Sequence, residues 1–256
     1  MNDRTILSPY FLDQPDDSLR PLAAPDWRVL DVALPAGTPL ERMGHLYDAL
    51  AGEVAAAVAV GERPVAFVGD CCATIGVLAG LQRAGQQPTV VWLDAHGDFN
   101  TPDTSPSGFL GGMPLAMAVG LGDQTLLRAT GLRPWPTDKV LLVDGRDLDP
   151  GERDNLAAAA IAHAPDIETL LQPDALPAGP LYVHFDVDII DPAEMQAVHY
   201  PAPGGPAAQL VADLLRALAA TDRIVAVSVS TWDPALDPDG HAQAVAQAAL
   251  NALFGR

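Results

Sequence analysis

The sequence predicts an α/β fold of three layers, α-β-α, around a doubly wound, mainly parallel sheet. Three observations carry this. Short apolar, β-branched runs alternate with longer stretches of helical periodicity along the chain, the pattern of successive strand–helix–strand units. The runs are apolar at consecutive rather than alternate positions, as in Val90-Val91-Trp92-Leu93, which suits strands covered on both faces. Three of the runs also end abruptly in Asp, His or Cys, and open α/β sheets build their sites beyond the carboxyl ends of strands.

Taken in order, Thr5 to Pro25 is rich in Pro and Asp, with a short strand candidate at Ile6-Leu7, and Trp27 to Leu34 reads as a strand. Leu40, Met43, Tyr47, Leu50 and Val54 recur at helical spacing and predict an amphipathic helix from Leu40 to Val60. Pro64 to Val68 is a strand, and Thr74 to Ala84 a helix stopped by Gly85. Thr89 to Leu93 is the next strand, followed by a Pro-, Ser-, Thr- and Gly-bearing loop from Thr101 to Gly112. Short helices are expected at Met113–Val119 and Gln124–Ala129, a strand at Lys139–Val143, a helix at Glu152–Ala162 and a strand at Leu181–Phe185. A long proline-bearing loop, Asp188 to Gly205, has the length usually kept for function. A helix from Pro206 to Ala219, a strand from Ile224 to Ser230 and a helix from His241 to Phe254 close the chain.

With 256 residues, 49% of them hydrophobic, the chain has material for one domain spanning residues 1–256 and its core. A formal net charge of −19 argues against nucleic acid or an anionic membrane as partner. It mildly favours cationic substrates, although solubility is the blander and better account. No apolar run is long enough for a membrane span, the N-terminus lacks a signal peptide, and the adjacent Cys71 and Cys72 offer no disulfide framework, so a cytoplasmic location is expected.

The candidate site residues lie at strand ends. Asp94, His96 and Asp98 alternate after Leu93, so an extended exit would aim all three to one side. Taken alone, that triplet could equally be an acidic surface loop. Asp186 and Asp188 alternate after Phe185, and Asp70-Cys71-Cys72 follows Val68. Carboxylates converging on one pocket repel unless cations neutralise them. Oxygen ligands with one imidazole suit Mn²⁺ or a similar borderline ion, and two ions could share bridging carboxylates.

These segments resemble the ureohydrolase family of arginase, agmatinase and formimidoylglutamase. The family shows G-G-D-H, D-A-H-x-D and S-x-D-x-D-x-x-D-P; the chain has Val68-Gly69-Asp70-Cys71, Asp94-Ala95-His96-Gly97-Asp98 and His184-Phe185-Asp186-Val187-Asp188-Ile189-Ile190-Asp191-Pro192. Asn100-Thr101-Pro102 and Ser107-Gly108 resemble arginase's substrate loop, and Gly145-Arg146-Asp147-Leu148-Asp149-Pro150-Gly151-Glu152 its G-L-R-D-V-D-P-G-E segment. The resemblance implies an arginase-like fold and a hydrolase of C–N bonds in linear guanidino or amidino compounds. It implies a homo-oligomer, trimer or hexamer, and two divalent metal ions. Asp94 and Asp186 would bridge the ions, His96 and Asp188 would complete one shell, and Cys71 and Asp98 the other. A hydroxide between the metals would attack the trigonal carbon, with Asp98 relaying its proton.

The chain departs from the family at three places. Cys71 stands where the family has histidine; its thiolate would favour Zn²⁺ or Fe²⁺ over Mn²⁺, unless Cys71 is only a small buried hydrophobe. Thr231 falls where a glutamate pairs with the substrate guanidinium, which argues against plain arginine or for another anchor such as Asp233. In the loop, Asn100 and Ser107 match positions that hold arginase's α-carboxylate, but Phe109 and Gly111 replace an Asn and a His. His199 or His184 could replace that lost proton carrier, or each could be an ordinary structural histidine. Asp149 and Glu152 match contacts to the substrate's α-amino group and equally suit the start of a helix. These departures leave open a weakly active or inactive relative with a binding or regulatory role.

Overall fold

Apolar strands laid side by side in register form the centre of the molecule. The structure is a computed structural model describing residues 2–255. Its strands are β1 (Asp3–Ser8), β2 (Tyr10–Phe11), β3 (Gln14–Pro15), β4 (Arg28–Val29), β5 (Arg63–Val68), β6 (Thr89–His96), β7 (Val140–Asp147), β8 (Ala162–Ala164), β9 (Leu181–Asp186) and β10 (Ile224–Ser230). Its helices are α1 (Pro39–Ala59), α2 (Thr74–Arg83), α3 (Pro114–Ala118), α4 (Thr125–Thr130), α5 (Pro150–Ala158), α6 (Ala208–Ala219) and α7 (His241–Phe254). Eight strands form one sheet in the order β4-β1-β5-β10-β9-β6-β7-β8. Every neighbouring pair in it is parallel, so all these strands point their carboxyl ends the same way.

Alternation of side chains divides the sheet into two faces. Ala66, Val68, Val90, Trp92, Leu142 and Tyr182 pack with α1 to α5, and Val65, Phe67, Val91, Leu93, Val183 and Phe185 pack with α6 and α7. The result is the three-layer, doubly wound arrangement expected from sequence. No helix of the described residues is long and apolar enough to cross a membrane.

Local chemistry sets the element ends. Thr38 and Glu41 form a reciprocal capping box at the start of α1, with Glu41 N–H donating to Thr38 Oγ1 at 3.3 Å and Thr38 N–H to Glu41 Oε2 at 2.7 Å. The strand expected over Trp27–Leu34 shrinks to Arg28–Val29. Beyond it the Tyr10 hydroxyl bonds both the carbonyl and the N–H of Val32, at 2.9 Å each, and so takes the place of a neighbouring strand. The helix expected to reach Ala162 stops at Ala158, and Ala162 opens edge strand β8 instead. The β2–β3 hairpin was not foreseen; its two-residue strands are too short to show periodicity.

Helices α1 and α2 approach closely because α2 presents Gly76 and Gly80 to α1. A Cβ on Gly80 would lie 2.5 Å from Val54 Cβ and 2.7 Å from the Ala51 carbonyl oxygen, whereas one on Gly52 meets nothing within 4 Å. Gly80→Ala should therefore lower stability, by about 1–3 kcal/mol for overpacking. Gly52→Ala should raise it by about 0.4–1 kcal/mol through helix propensity and a more restricted unfolded chain. Denaturant unfolding of the two variants checks the pair: equal effects of one sign would refute this account of the interface.

Candidate metal centre

The parallel register stacks functional side chains in rows. Trp92, His184 and Ser228 pair across β6, β9 and β10, and Asp186 pairs with Ser230 two residues further on. Side chains two residues apart share a face, so Asp94, Asp186 and Ser230 form a second row directly above the first. From β5, a short 3₁₀ turn brings Cys71 to this row: its Sγ lies 2.8 Å from Asp186 Oδ2, 3.4 Å from Ser230 Oγ and 3.9 Å from Asp94 Oδ2. On the other side His96 Nδ1 lies 3.0 Å from Asp188 Oδ2 and 3.4 Å from Asp94 Oδ1.

Two groups of potential metal ligands result. In one, Asp94, His96 and Asp188 offer atoms within 4.8 Å of one another; in the other, Cys71, Asp94, His184 and Asp186 do. Asp94 is common to both. His184 joins the second group, a role not foreseen from its place in an apolar strand. Asp98 joins neither. The strand ends at His96 and Asp98 takes a left-handed backbone with φ of +51°, so the extended exit expected from sequence does not continue to it. Its carboxylate is still buried beside the others, with Oδ2 lacking a hydrogen-bond partner.

Other residues fix these donors. Trp92 Nε1 donates to Asp94 Oδ2 at 3.0 Å, and His96 N–H to Asp94 Oδ1 at 2.7 Å. Asp186 accepts from Asp188 N–H at 2.9 Å, from Ser230 at 3.0 Å and from the Thr231 hydroxyl. Asp70 accepts from Cys72 N–H at 2.9 Å, Leu12 N–H at 2.7 Å and Tyr47 at 3.2 Å, which holds the turn bearing Cys71. Arg146 pairs with Asp144 and donates to the carbonyls of Asp188, Ile189 and Ala202 at 3.0–3.1 Å, clamping the loop after β9. Trp92 would have needed a register to be seen as a site residue; a tryptophan in a strand reads as core.

These groups open on a pocket of ≈ 190 Å³. Asn100, Ser107, Asp147, Asp149, Glu152 and Thr231 line it, and Phe11, Phe109 and Tyr200 form an aromatic rim, with Phe109 4.8 Å from Tyr200 and 6.4 Å from Phe11 between ring centres. Asn100 donates to Asp149 at 2.9 Å. Glu152 accepts main-chain N–H groups of Phe99 and Asp149 at 2.7 and 3.1 Å, so it caps α5 as well as facing the pocket. His199 does not line the wall. It is half-exposed, lies against Phe11 and pairs with Asp233 at 2.9 Å. His199, the expected proton carrier, and Asp233, the alternative cation anchor, are thus paired with each other outside the lining of the pocket.

The charges explain what the pocket wants. Burial first, and a neighbouring carboxylate second, raises the pKa of Asp94, Asp98, Asp188 and Asp186, the last to about 8. Burial opposes a charge on His96, but Asp188 and Asp94 outweigh it and push its pKa up to about 12. Burial pushes His184 down to about 3, which keeps its imidazole neutral. Crowded acids, a neutral buried imidazole, a thiol and the unpartnered Asp98 Oδ2 and His184 Nε2 fit divalent cations.

A group more basic in the folded chain than in the unfolded one binds more protons when folded, so its contribution to stability is lost as pH rises between the two values. For Asp186 that interval runs from 3.8 to about 8, and for Glu152 from 4.5 to about 7. The melting temperature of chelator-treated protein should fall from about pH 6.5 to about pH 8, above the range from about 3 to 6.5 in which the depressed His184 acts in the opposite direction, and excess divalent cation should flatten or reverse the slope. A flat or rising profile without cation would contradict these assignments.

Comparison with known proteins agrees with the geometry. The family model described as Arginase family matches residues 14–255. The N(omega)-hydroxy-L-arginine amidinohydrolase of Streptomyces lavendulae is 32% identical over 189 residues, 73% of this chain and 67% of that protein. The arginase of Bacillus caldovelox is 30% identical over 232 residues, 84% of this chain and 76% of its own. The solved native structure of the B. caldovelox arginase superposes with a TM-score of 0.85 at 25% identity, covering 100% of this chain and 99% of that one. The chain belongs to the arginase family.

Proposed function

We infer that the protein is a metal-dependent hydrolase of C–N bonds in a linear guanidino or amidino compound. The observation that carries this reading is the pair of donor groups sharing Asp94 beneath a pocket of small-molecule size. The family relatives support it through their names, arginase and N(omega)-hydroxy-L-arginine amidinohydrolase. Asp94, His96 and Asp188 would hold one divalent ion, a set suited to Mn²⁺. Cys71, Asp94 and Asp186 would hold a second, where a thiolate admits Zn²⁺ or Fe²⁺. Such ions supply the Lewis acidity that makes water a nucleophile near neutral pH.

The chain's own residues do the rest. Asp98, buried with a raised pKa and a free carboxylate oxygen, takes the proton released by the attacking water and returns it to the departing nitrogen. Asp147 and Asp149 line the wall on the β7 side and attract the cationic substrate. Thr231 donates its hydroxyl to Asp186, so it sets a ligand's position and presents no charge to a guanidinium. The rings of Phe11, Phe109 and Tyr200 can lie against a guanidinium face or an alkyl stem, which favours a substrate whose far end is less polar than free arginine's. Ser107 and Asn100 remain for a polar end group. We take the active form to be a homo-oligomer, as the family resemblance suggests, in the cytoplasm, as two free cysteines without a disulfide framework suggest.

The test is urea or ammonia release from a panel that includes arginine, N(omega)-hydroxy-L-arginine and agmatine, with protein stripped by chelator and reloaded with Mn²⁺ or Zn²⁺. Metal-dependent turnover of at least one compound is expected; metal binding without any turnover would favour a binding role and overturn the reading. Asp94→Ala should lose both ions by elemental analysis, because it serves both donor groups, whereas Asp188→Ala should lose one. Equal stoichiometry in the two variants would refute the sharing of Asp94.

A further inference from the structure

We propose that His184 is a ligand, so that Cys71, Asp94, His184 and Asp186 form a closed, four-coordinate site for a zinc-class ion beside a more open site of different preference. The proposal rests on the two-ion reading of the pocket only for the neighbouring site; its own four donors stand on geometry. The His184 ring is fully buried and its Nε2 has no hydrogen-bond partner. A ring nitrogen of His184 falls within the 4.8 Å group that contains Cys71 Sγ and carboxylate oxygens of Asp94 and Asp186, and with Nδ1 engaged by Ser228, Nε2 is the one left to bind.

The rest of the ring is held for this task. Nδ1 lies 2.8 Å from Ser228 Oγ, which lies 2.7 Å from the Tyr182 hydroxyl. A ring that donates from Nδ1 carries a bare lone pair on Nε2, the arrangement metal-binding histidines use. Trp92 packs on it with ring centres 4.1 Å apart while donating to Asp94. The resemblance motifs show how the sequence reached this set. At Cys71 an imidazole is replaced by sulfur, and at His184 a serine is replaced by an imidazole, so the nitrogen has moved from the β5 exit to β9.

Nitrogen, sulfur and two carboxylate oxygens are the donors of tetrahedral zinc. Mn²⁺ prefers a larger number of harder oxygen ligands, and thiolate disfavours it. Asp94, His96 and Asp188 have no sulfur, and His96 is 27% exposed to the pocket, so that site keeps room for water and substrate and suits Mn²⁺. The structure thus separates a soft donor set completed by a fully buried histidine from a harder one whose histidine meets the pocket.

Titration of chelator-treated protein with Co²⁺ tests this. Wild type should develop a thiolate-to-cobalt charge-transfer band with intense visible bands of tetrahedral cobalt, discharged by Zn²⁺ and not by excess Mn²⁺. Cys71→Ser should abolish the charge-transfer band. His184→Ser and His184→Asn should each weaken Co²⁺ binding at least about 100-fold, and Ser228→Ala about 10-fold, by analogy with losses on removing outer-shell partners. His96→Ala should keep the band and lose the second ion. No band in wild type, or unchanged affinity in both His184 variants, would overturn the proposal. If neither His184 variant folds, as judged by near-ultraviolet circular dichroism, nitrogen NMR of histidine-labelled wild type decides: Zn²⁺ must shift His184 Nε2, and an unmoved resonance overturns the proposal. A cobalt band that depends on His184, without turnover of any guanidino compound, would leave this site standing and remove the hydrolase reading. Turnover with Mn²⁺ at both positions and no band would do the reverse.

Discussion

The structure depends on one electrostatic constraint: Asp94, Asp98, Asp186 and Asp188 are buried within reach of one another. Parallel strands bring this about, since all carboxyl ends face one way and the register sets Asp94 beside Asp186. Acids this crowded need partners, and the surroundings supply them in three forms: main-chain N–H groups after β6 and β9, the side chains of Trp92, Ser230 and Thr231, and the imidazole of His96. The backbone also carries strain here. Asp98, just past β6, and Thr231, just past β10, have φ of +51° and +63°, and Asp144, inside β7, has +70°. Such conformations cost of the order of 1–3 kcal/mol each and persist only where the surroundings over-determine them. For β-branched Thr231 the conformation is least favourable, and it is what brings the hydroxyl onto Asp186.

Much of this was legible in the sequence, for a physical reason. Strand periodicity is two, so a ligand at the end of an apolar run predicts the face on which the next but one will lie; Asp94 with His96 follow this rule. The rule fails where the chain stops being extended. Nothing in the Gly97-Asp98-Phe99 sequence shows that Asp98 turns left-handed, and the residue leaves the donor groups. The rule also runs backwards along a strand. His184 stands two residues before Asp186, which places it on the same face, but a histidine inside an apolar strand reads as core. Trp92, two residues before Asp94, was passed over for the same reason.

Other parts lay outside any local pattern. The aromatic rim draws Phe11, Phe109 and Tyr200 from β2 and two loops far apart in the chain. His199 looked available because it sits in a long loop, and only the fold shows Asp233 occupying it. The edge of the sheet was misjudged because Tyr10, a side chain, satisfies Val32 where a strand would have done so. At the other edge, four successive alanines, Ala157 to Ala160, carry no apolar periodicity to separate the end of α5 from the approach to β8.

The two halves of the centre differ in ways that follow from their place in the sheet. Cys71 follows β5, and His184 and Asp186 stand in β9, towards the middle of the sheet, each at most 5% exposed. His96 and Asp188 lie towards β7, where the loops after β6 and β7 part to form the pocket. Cys71, Asp94 and Asp186 line the floor of the same pocket and His184 does not, so four protein donors, and no barrier to solvent, would close the first set. His96, 27% exposed, leaves the second set open to water. Asp94, with Oδ2 towards Cys71 and Oδ1 towards His96, couples the two.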